Sequence, residues 1–177
     1  PRRVMHVLDA RTTRGAAKAV VTGIDLSASY IAYARQHTSD PGVTFEVGDA
    51  EHLPYSDGTF DRSLSMLALD TMPQAARALA EMRRVTRPGG TVAALVNDFR
   101  CGWAPFSMLI DTAAVLDPRA STLRDQVSSE PLRWPGGLAA LFCTAGFAEV
   151  TEGQISTLFE YASFADYWSS FLTGQGI

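Results

Sequence analysis

The stretch from Val20 to Ser27 constrains the fold more than any other part of the chain. It reads Val-Val-Thr-Gly-Ile-Asp-Leu-Ser, an uncharged β-branched run closed by a carboxylate and a serine. Such a run without strict alternation is typical of a parallel strand covered on both faces. Ligands of open α/β sheets bind beyond the carboxyl ends of the strands, where an acid can accept hydrogen bonds from ribose hydroxyls. Asp25 is therefore a candidate nucleotide contact; alternatively, it only ends the strand while Ser27 caps the next helix.

A strand-then-helix pattern recurs through the first half of the chain. The helix that starts at Ser27 stops before Asp40, and an alternating strand then leads to a second acid, Asp49. Predicted strands lie at residues 4–9, 20–25, 43–47, 63–67 and 91–96, and predicted helices lie at 27–37 and from 75 to a basic Pro-Gly-Gly stop at 87–90. Strands separated by helices predict parallel pairing through right-handed crossovers, and hence a doubly wound α/β sheet.

Beyond Asp98 the composition changes, because tryptophans and prolines become frequent. The predicted elements there are a helix over 106–116, a loop to 135, a short helix over 138–144, a strand over 147–161 and an aromatic helix from 164. The aromatic stripe of that last helix is more typical of core packing than of a ligand cage.

Charge and cysteine usage narrow the possible partners. The chain carries 15 Lys+Arg against 19 Asp+Glu, a formal net charge of -4, without a basic cluster that could follow a phosphate backbone, so nucleic acid is not an expected partner. Because no apolar run approaches the ~20 residues that span a bilayer and no signal-peptide core opens the chain, we expect a cytoplasmic protein and no membrane partner. Cys101 and Cys143 fit no metal spacing and are expected to be buried thiols, and no metal site is predicted.

The connection after the first predicted strand is unusual. Nucleotide-binding α/β folds place a glycine-rich turn there, which opens a helix whose amino end faces the ligand. Asp9 is instead followed by Ala-Arg-Thr-Thr-Arg-Gly, in which Gly15 is the single glycine. Asp9 and Asp25 are also only 16 positions apart, which leaves little room for a turn and a full helix.

Several segments, taken in order, resemble the motifs of class I S-adenosylmethionine-dependent methyltransferases. They include Gly-Asp-Ala-Glu-His-Leu-Pro at 48–54 and Glu-Met-Arg-Arg-Val-Thr-Arg-Pro-Gly-Gly at 81–90. The other matching segments are 7–9, 22–27, 60–61 and, less specifically, the tail 159–176. The similarity is greatest to the small-molecule branch that contains the ubiquinone and menaquinone methyltransferases. It implies a mostly parallel, Rossmann-like sheet flanked by helices.

The resemblance also implies a cofactor, S-adenosylmethionine, and a set of contacts for it. Asp25 would hold the ribose hydroxyls, Asp49 would accept from the adenine amino group, and Leu26 would form an apolar wall against the base. The predicted cofactor-binding residues are Asp9, Asp25, Leu26, Asp49, Ala50 and Ser65. Because Asp9, Asp25 and Asp49 end successive strands, we expect them to converge in one crevice.

The chain departs from the family pattern where Gly-x-Gly-x-Gly is expected, since it has Arg11-Thr12-Thr13 there. Either the protein is a degenerate relative, or the sequence lacks a mobile segment between Asp9 and Gly15. The short spacing favours the second explanation, because substitution alone would preserve length. The family's seventh, antiparallel strand would lie beyond Ile177.

The implied activity is methyl transfer to an unidentified small-molecule acceptor within a single domain, 1–177. Residues 1–98 would form the donor-binding core, and 99–177 the acceptor-side helices and last strand. No catalytic residue is assigned. Asp70 and His52 are candidate bases, but the favoured explanations are a helix cap near 72–74 for Asp70 and a solvated loop position for His52. The alternatives are a non-catalytic relative that binds an adenosine ligand, and a nicotinamide-dependent dehydrogenase.

Overall fold

The computed structural model describes residues 4–9, 20–98, 104–156, 158 and 160–172. Its strands are β1 (Val4–Asp9), β2 (Val20–Asp25), β3 (Val43–Val47), β4 (Phe60–Met66) and β5 (Thr86–Leu95). Its helices are α1 (Ala28–Gln36), α2 (Ala75–Val85), α3 (Ala104–Leu116), α4 (Pro118–Ser129), α5 (Gly137–Thr144) and α6 (Phe164–Leu172). Single 3-10 turns occupy Leu69–Thr71 and Pro131–Arg133. None of the described helices is long and apolar enough to cross a bilayer.

One five-stranded sheet, in the order β3-β2-β1-β4-β5, organises the molecule. β2 pairs with β3 and β4 pairs with β5 in parallel, whereas β1 is antiparallel to both of its neighbours, β2 and β4. The other four strands therefore all run in the same direction, and their carboxyl ends share one edge. The predicted α/β, Rossmann-like and mostly parallel class is confirmed, but the prediction that every strand is parallel was wrong for β1.

The reversed direction of β1 follows from chain length. Ten residues, 10–19, separate β1 from β2, whereas a parallel crossover needs a dozen or more. In the observed register Val4 pairs with Asp25 and Asp9 pairs with Val20. Asp9 thus lies at the opposite end of the sheet from Asp25, and the expectation that it joins the crevice was wrong. The predicted gap or mobile segment after Asp9 lies outside the described residues.

The core forms where α2 covers the sheet. The predicted stripe of Leu79, Met82 and Val85 is completely buried, as is Ala78, whereas Ala75 at its start is only partly buried. Burial of a leucine or methionine side chain contributes about 1.5–3 kcal/mol each, so this stripe stabilises the packing of α2 on the sheet.

The end of α2 lies earlier than its Pro-Gly-Gly signal indicates. The buried Thr86 hydroxyl donates to the Met82 carbonyl at 2.7 Å and lies 2.6 Å from the Ser63 hydroxyl of β4. Because Thr86 thereby joins the last turn of α2 to the sheet, β5 begins directly after Val85 rather than at residue 91. Gly89 then takes a φ of 74°, which favours glycine.

The second half is helical, as expected, but its boundaries differ from the prediction. The helix predicted over 106–116 is confirmed as α3, and the helices predicted from 138 and 164 are confirmed as α5 and α6. α4 occupies what was predicted as loop. Its start is well specified, because Asp117 accepts from the Arg119 amide at 2.9 Å and proline occupies the first helical position.

Two further predictions for the second half were wrong. None of the described residues within 147–161 belongs to a strand, and 151–156 are exposed. Alternation alone cannot produce a strand, which requires a hydrogen-bonded neighbour. Cys143 is exposed rather than buried, because it follows Phe142 on α5 and successive helical residues point about 100° apart. Cys101 lies outside the described residues.

Candidate functional site

A crevice opens where the parallel strands β2 and β3 end. Its lining residues are Ile24, Asp25, Leu26, Gly48, Asp49, Ala50 and Met72. The Gly48 amide donates to the Asp25 carbonyl at 3.0 Å, which joins the two strand ends. The crevice encloses only about 10 Å³, so a nucleoside would have to lie along its open side. The structure thus brings together four of the six predicted cofactor-binding residues: Asp25, Leu26, Asp49 and Ala50.

Asp25 has the structural role that the sequence left open, and it also lies at the crevice. It is 4% exposed at the end of β2, and its Oδ1 accepts from the Ser27 amide at 2.6 Å. Ser27 in turn is the N-cap of α1 and accepts from the Tyr30 amide. The carboxylate therefore organises the start of a helix, whose positive end favours an anion. Two carboxylate oxygens offer about four acceptor sites, so this bond leaves capacity for a ligand hydroxyl.

Leu26 and Ala50 provide the apolar part of the crevice. Leu26 is 51% exposed although it is a large hydrophobic residue, and Ala50 is 7% exposed. A nucleoside combines an apolar base with polar ribose hydroxyls. An exposed leucine beside a buried carboxylate offers one apolar surface and one polar contact, which suit these two parts.

Asp49 organises the loop that follows β3. Its Oδ1 accepts from the Glu51 amide at 2.9 Å, and its Oδ2 lies 3.3 Å from His52 Nδ1. Its side chain nevertheless remains 41% exposed at the crevice. His52 contacts Arg77 Nη2 through its other ring nitrogen, so both nitrogens are engaged. This arrangement disfavours His52 as a general base.

The remaining predicted residue, Ser65, is not part of the crevice lining. It is on β4, opposite Ala94 of β5, and is 2% exposed. Within the described residues its hydroxyl has no hydrogen-bond partner. A buried hydroxyl of this kind is uncommon in folded proteins.

Asp70, the other candidate base, forms a buried ion pair. Its Oδ2 accepts from Arg133 Nε at 2.9 Å, with side chains 1% and 14% exposed, respectively. The expected helix cap was wrong, because the residue that precedes α2 is Gln74. Because Arg133 occupies this carboxylate in a nearly fully buried position, the pair also argues against Asp70 as a base.

A larger cavity of about 380 Å³ lies near the carboxyl end of β5. It lies between the end of β5, the Pro131–Arg133 turn and the segment 152–155, and its walls include Leu95, Arg133 and Trp134. Sequence reasoning did not find this cavity. Its only signal was the aromatic and proline-rich composition of 101–135.

Sequence reasoning also did not find the contacts that hold the β3 loop, which we define as residues 48–57. Arg84 of α2 donates to the carbonyls of Tyr55 at 2.6 Å and Leu53 at 2.9 Å, and to Asp57 at 2.9 Å. It also pairs with both carboxylate oxygens of Glu81, each at 2.7 Å.

Hydrogen bonds among these side chains shift the pKa values of Glu81 and Arg84 in favour of their charged forms. The hydrogen bond from Arg84 holds the pKa of Glu81 below its usual value, with a smaller contribution from the Leu53 amide. Glu81 and Asp57 together raise the pKa of Arg84. Glu81 and Arg84 therefore stay ionised around neutral pH. In the sequence, the only indication of these contacts was that Glu81 and Arg84 belong to the 81–90 motif.

The strand order and the acids at the carboxyl ends of β2 and β3 define a Rossmann-like, nucleotide-binding class of protein. Comparison with known proteins gives the family. A family described as a methyltransferase domain matches residues 7–94. A solved structure assigned to the methyltransferases, from Bacillus halodurans, has a TM-score of 0.51, 22% identity, and coverage of 71% of this chain and 52% of its own; this likeness shows the fold alone.

Two curated relatives are similar in sequence. A demethylmenaquinone methyltransferase of Beutenbergia cavernae is 35% identical over 73% of this chain and 57% of its own length. A malonyl-[acyl-carrier protein] O-methyltransferase of Pectobacterium atrosepticum is 46% identical over 41% of this chain and 28% of its own. The chain belongs to the class I S-adenosylmethionine-dependent methyltransferases, and it spans little more than half, or less, of the length of these relatives.

Proposed function

We propose that this chain binds S-adenosylmethionine and transfers its methyl group to a small-molecule acceptor. The observation that carries the proposal is the grouping of Asp25, Leu26, Asp49 and Ala50 around one crevice at the carboxyl ends of parallel strands. These residues fit an adenosine, because they combine two carboxylates with an exposed apolar wall. Family membership supports the choice of donor.

Each crevice residue has a distinct task in this proposal. Asp25 accepts hydrogen bonds from the ribose hydroxyls, and the exposed carboxylate of Asp49 accepts from the adenine amino group. Leu26 and the Ala50 backbone lie against the ring. The bound donor supplies a methyl group on a sulfonium, and the contribution of the protein is to hold that group in line with the acceptor. The methionine end of the donor is not assigned to any described residue.

The 380 Å³ cavity is our candidate acceptor site. β2, β3 and β5 all end at the same edge of the sheet, so the cavity and the crevice open on one side of the molecule. Trp134 offers an aromatic wall and Arg133 a cation. The names of the relatives specify a demethylmenaquinone and a malonyl-acyl carrier protein, so the chemical class of the acceptor does not follow from similarity.

Calorimetry on the chain tests the proposal against its two alternatives. We expect S-adenosylhomocysteine, the demethylated donor, to bind and NADH not to bind. Binding of NADH alone would support the dehydrogenase, for which the described site has no feature of its own. Failure of the folded protein to bind S-adenosylhomocysteine would overturn the proposal.

Transfer of labelled methyl from S-adenosylmethionine then distinguishes an enzyme from a non-catalytic relative. The second candidate deserves this test because Asp9, a member of the predicted donor set, lies at the far end of the sheet. Incorporation of label into any member of a panel of quinols, carboxylic acids and lipid alcohols supports the enzyme. A protein that binds the donor but labels none of them supports the non-catalytic relative.

A further inference from the structure

The β3 loop has no helix or strand of its own, although it contains Asp49 and Ala50. Its backbone groups therefore need partners elsewhere. The partners come from one face of α2, where Glu81 and Arg84 are three positions apart. Leu53 is held at both of its backbone groups: its amide donates to Glu81 Oε2 at 2.9 Å and its carbonyl accepts from Arg84 at 2.9 Å.

A second attachment lies closer to the crevice. Glu51 is 7% exposed, and its Oε1 accepts from the Gln74 amide immediately before α2 at 2.9 Å. Along the chain, Asp49 and Ala50 thus lie between the end of β3 and two residues, Glu51 and Leu53, that are hydrogen-bonded to α2 or to the residue before it. The shape of the adenine-facing backbone depends on these attachments, because local hydrogen bonds within the loop involve only Asp49 and its neighbours.

We propose that Glu81 and Arg84 are positioning residues that set the affinity for the adenosine half of the donor by holding the β3 loop in its binding shape. This inference rests on the proposed function, because it needs the crevice to be the donor site. Neither residue lines the crevice, so neither needs to touch the ligand. An ordered loop binds more tightly because less conformational entropy is lost when the ligand arrives.

The exposure of the pair separates this role from a purely structural one. The Glu81 and Arg84 side chains are 21% and 31% exposed, and such pairs contribute little to global stability. Loss of the pair leaves the Leu53 and Tyr55 carbonyls without the Arg84 donor, and the effect is confined to the loop. We therefore expect the main effect on local loop order and ligand affinity, with a small effect on the free energy of unfolding.

The neighbouring residue offers a matched control. Arg83 is also an arginine of α2, but it donates to the Ala145 carbonyl at 2.9 Å and lies over the Phe147 ring, 5.8 Å from its centroid. It contacts the segment after α5 instead of the β3 loop. Arg83→Met therefore removes a guanidinium from the same helix without removing any contact to the β3 loop.

The experiment measures S-adenosylhomocysteine affinity by calorimetry and amide exchange across 48–57. We expect Arg84→Met to weaken binding about tenfold and to speed exchange in the loop, whereas Arg83→Met leaves both unchanged. Arg84→Lys should restore only part of the affinity, because an ammonium cannot form the same planar set of contacts. Glu81→Gln provides the same test if Arg84→Met does not fold.

The outcomes separate the two proposals. Equal affinity in Arg84→Met and Arg83→Met, with Asp25→Asn still weakened, would overturn the positioning role alone. Absence of binding in the unaltered protein would overturn the proposed function. A loss of affinity in Arg84→Met without faster loop exchange would also contradict positioning, because the effect would not pass through the loop.

Discussion

The β3 loop and the segment 130–156 lie near the same edge of the sheet but are held in different ways. The β3 loop is attached through several hydrogen bonds to one nearby helix. Segment 130–156 is joined to the turn after β4 through the buried pair of Asp70 and Arg133, 63 positions apart. Within that segment Glu152 accepts from the amides of Gly136 and Ala139 at 2.7 and 2.8 Å, which fixes the start of α5. The contacts that hold the β3 loop thus span 23 to 31 positions, whereas the buried pair spans 63.

Breaking the buried pair should have the largest effect. Asp70→Asn leaves the Arg133 charge without its carboxylate in a nearly solvent-free position, and loss of one member of a buried pair costs about 3–5 kcal/mol. We expect urea unfolding to show a loss of this order. The control Asp125→Asn removes an exposed pair with Arg124 and should change the free energy of unfolding little. Equal effects in the two variants would show that Asp70 does not hold segment 130–156 in place.

Crowding the start of the β3 loop should have an intermediate effect. A Cβ at Gly48 would overlap Ile24 Cδ1 and lie 2.9 Å from its Cγ1, and Ile24 is 1% exposed. Gly48→Ala should therefore cost about 1–3 kcal/mol in thermal or urea unfolding. Gly153→Ala is the matched control, because nothing lies within 4 Å of its Cβ. If the two variants are equally stable, β2 and the loop do not pack as tightly as described.

The smallest effect expected is on the pH dependence of stability. Because Arg84 lowers the pKa of Glu81 in the folded state, this group stabilises the protein above the usual value of 4.5. The contribution is lost as the pH falls from about 4.5 through the lower, folded-state pKa. The difference in unfolding free energy between the protein and Glu81→Gln should therefore shrink on acidification from pH 6 to pH 3. A difference that stays constant over this range would contradict the ion pair.

Local signals account for the parts of the fold that the sequence predicted. Ser27 as a cap and the apolar stripe of α2 act within one or two turns, so α1 and α2 follow from the residues themselves. The same is true of Asp25 and Asp49, which were located by the strands they end. The direction of β1 was predicted wrongly although the ten residues between β1 and β2 limit it. The lack of a strand among the described residues of 147–161 could not be predicted locally, because a strand depends on which neighbour is available for pairing.

The pairing of Asp70 with Arg133 could not be predicted from the sequence at all. No sequence pattern around Asp70 or Arg133 indicates that the two residues pair. Their pairing depends on how the helices after β5 return to the sheet. α4 is different, since Asp117 and Pro118 form a recognisable helix start that the prediction of a loop overlooked. Hence most of the crevice residues at the ends of β2 and β3 were predicted from the sequence, whereas the cavity beside Trp134 was not.

The most direct test of the account is the affinity of Asp25→Asn for S-adenosylhomocysteine, measured together with its melting temperature. Asparagine keeps an oxygen that can accept from the Ser27 amide, so the start of α1 should survive and the melting temperature should change little. Loss of a charge-assisted contact to the ribose should weaken binding about tenfold to a few hundredfold. Asp61→Asn, at the far end of β4 beside Arg87, should leave the affinity unchanged. A folded Asp25→Asn variant with unaltered affinity would remove Asp25 from the site and contradict the account.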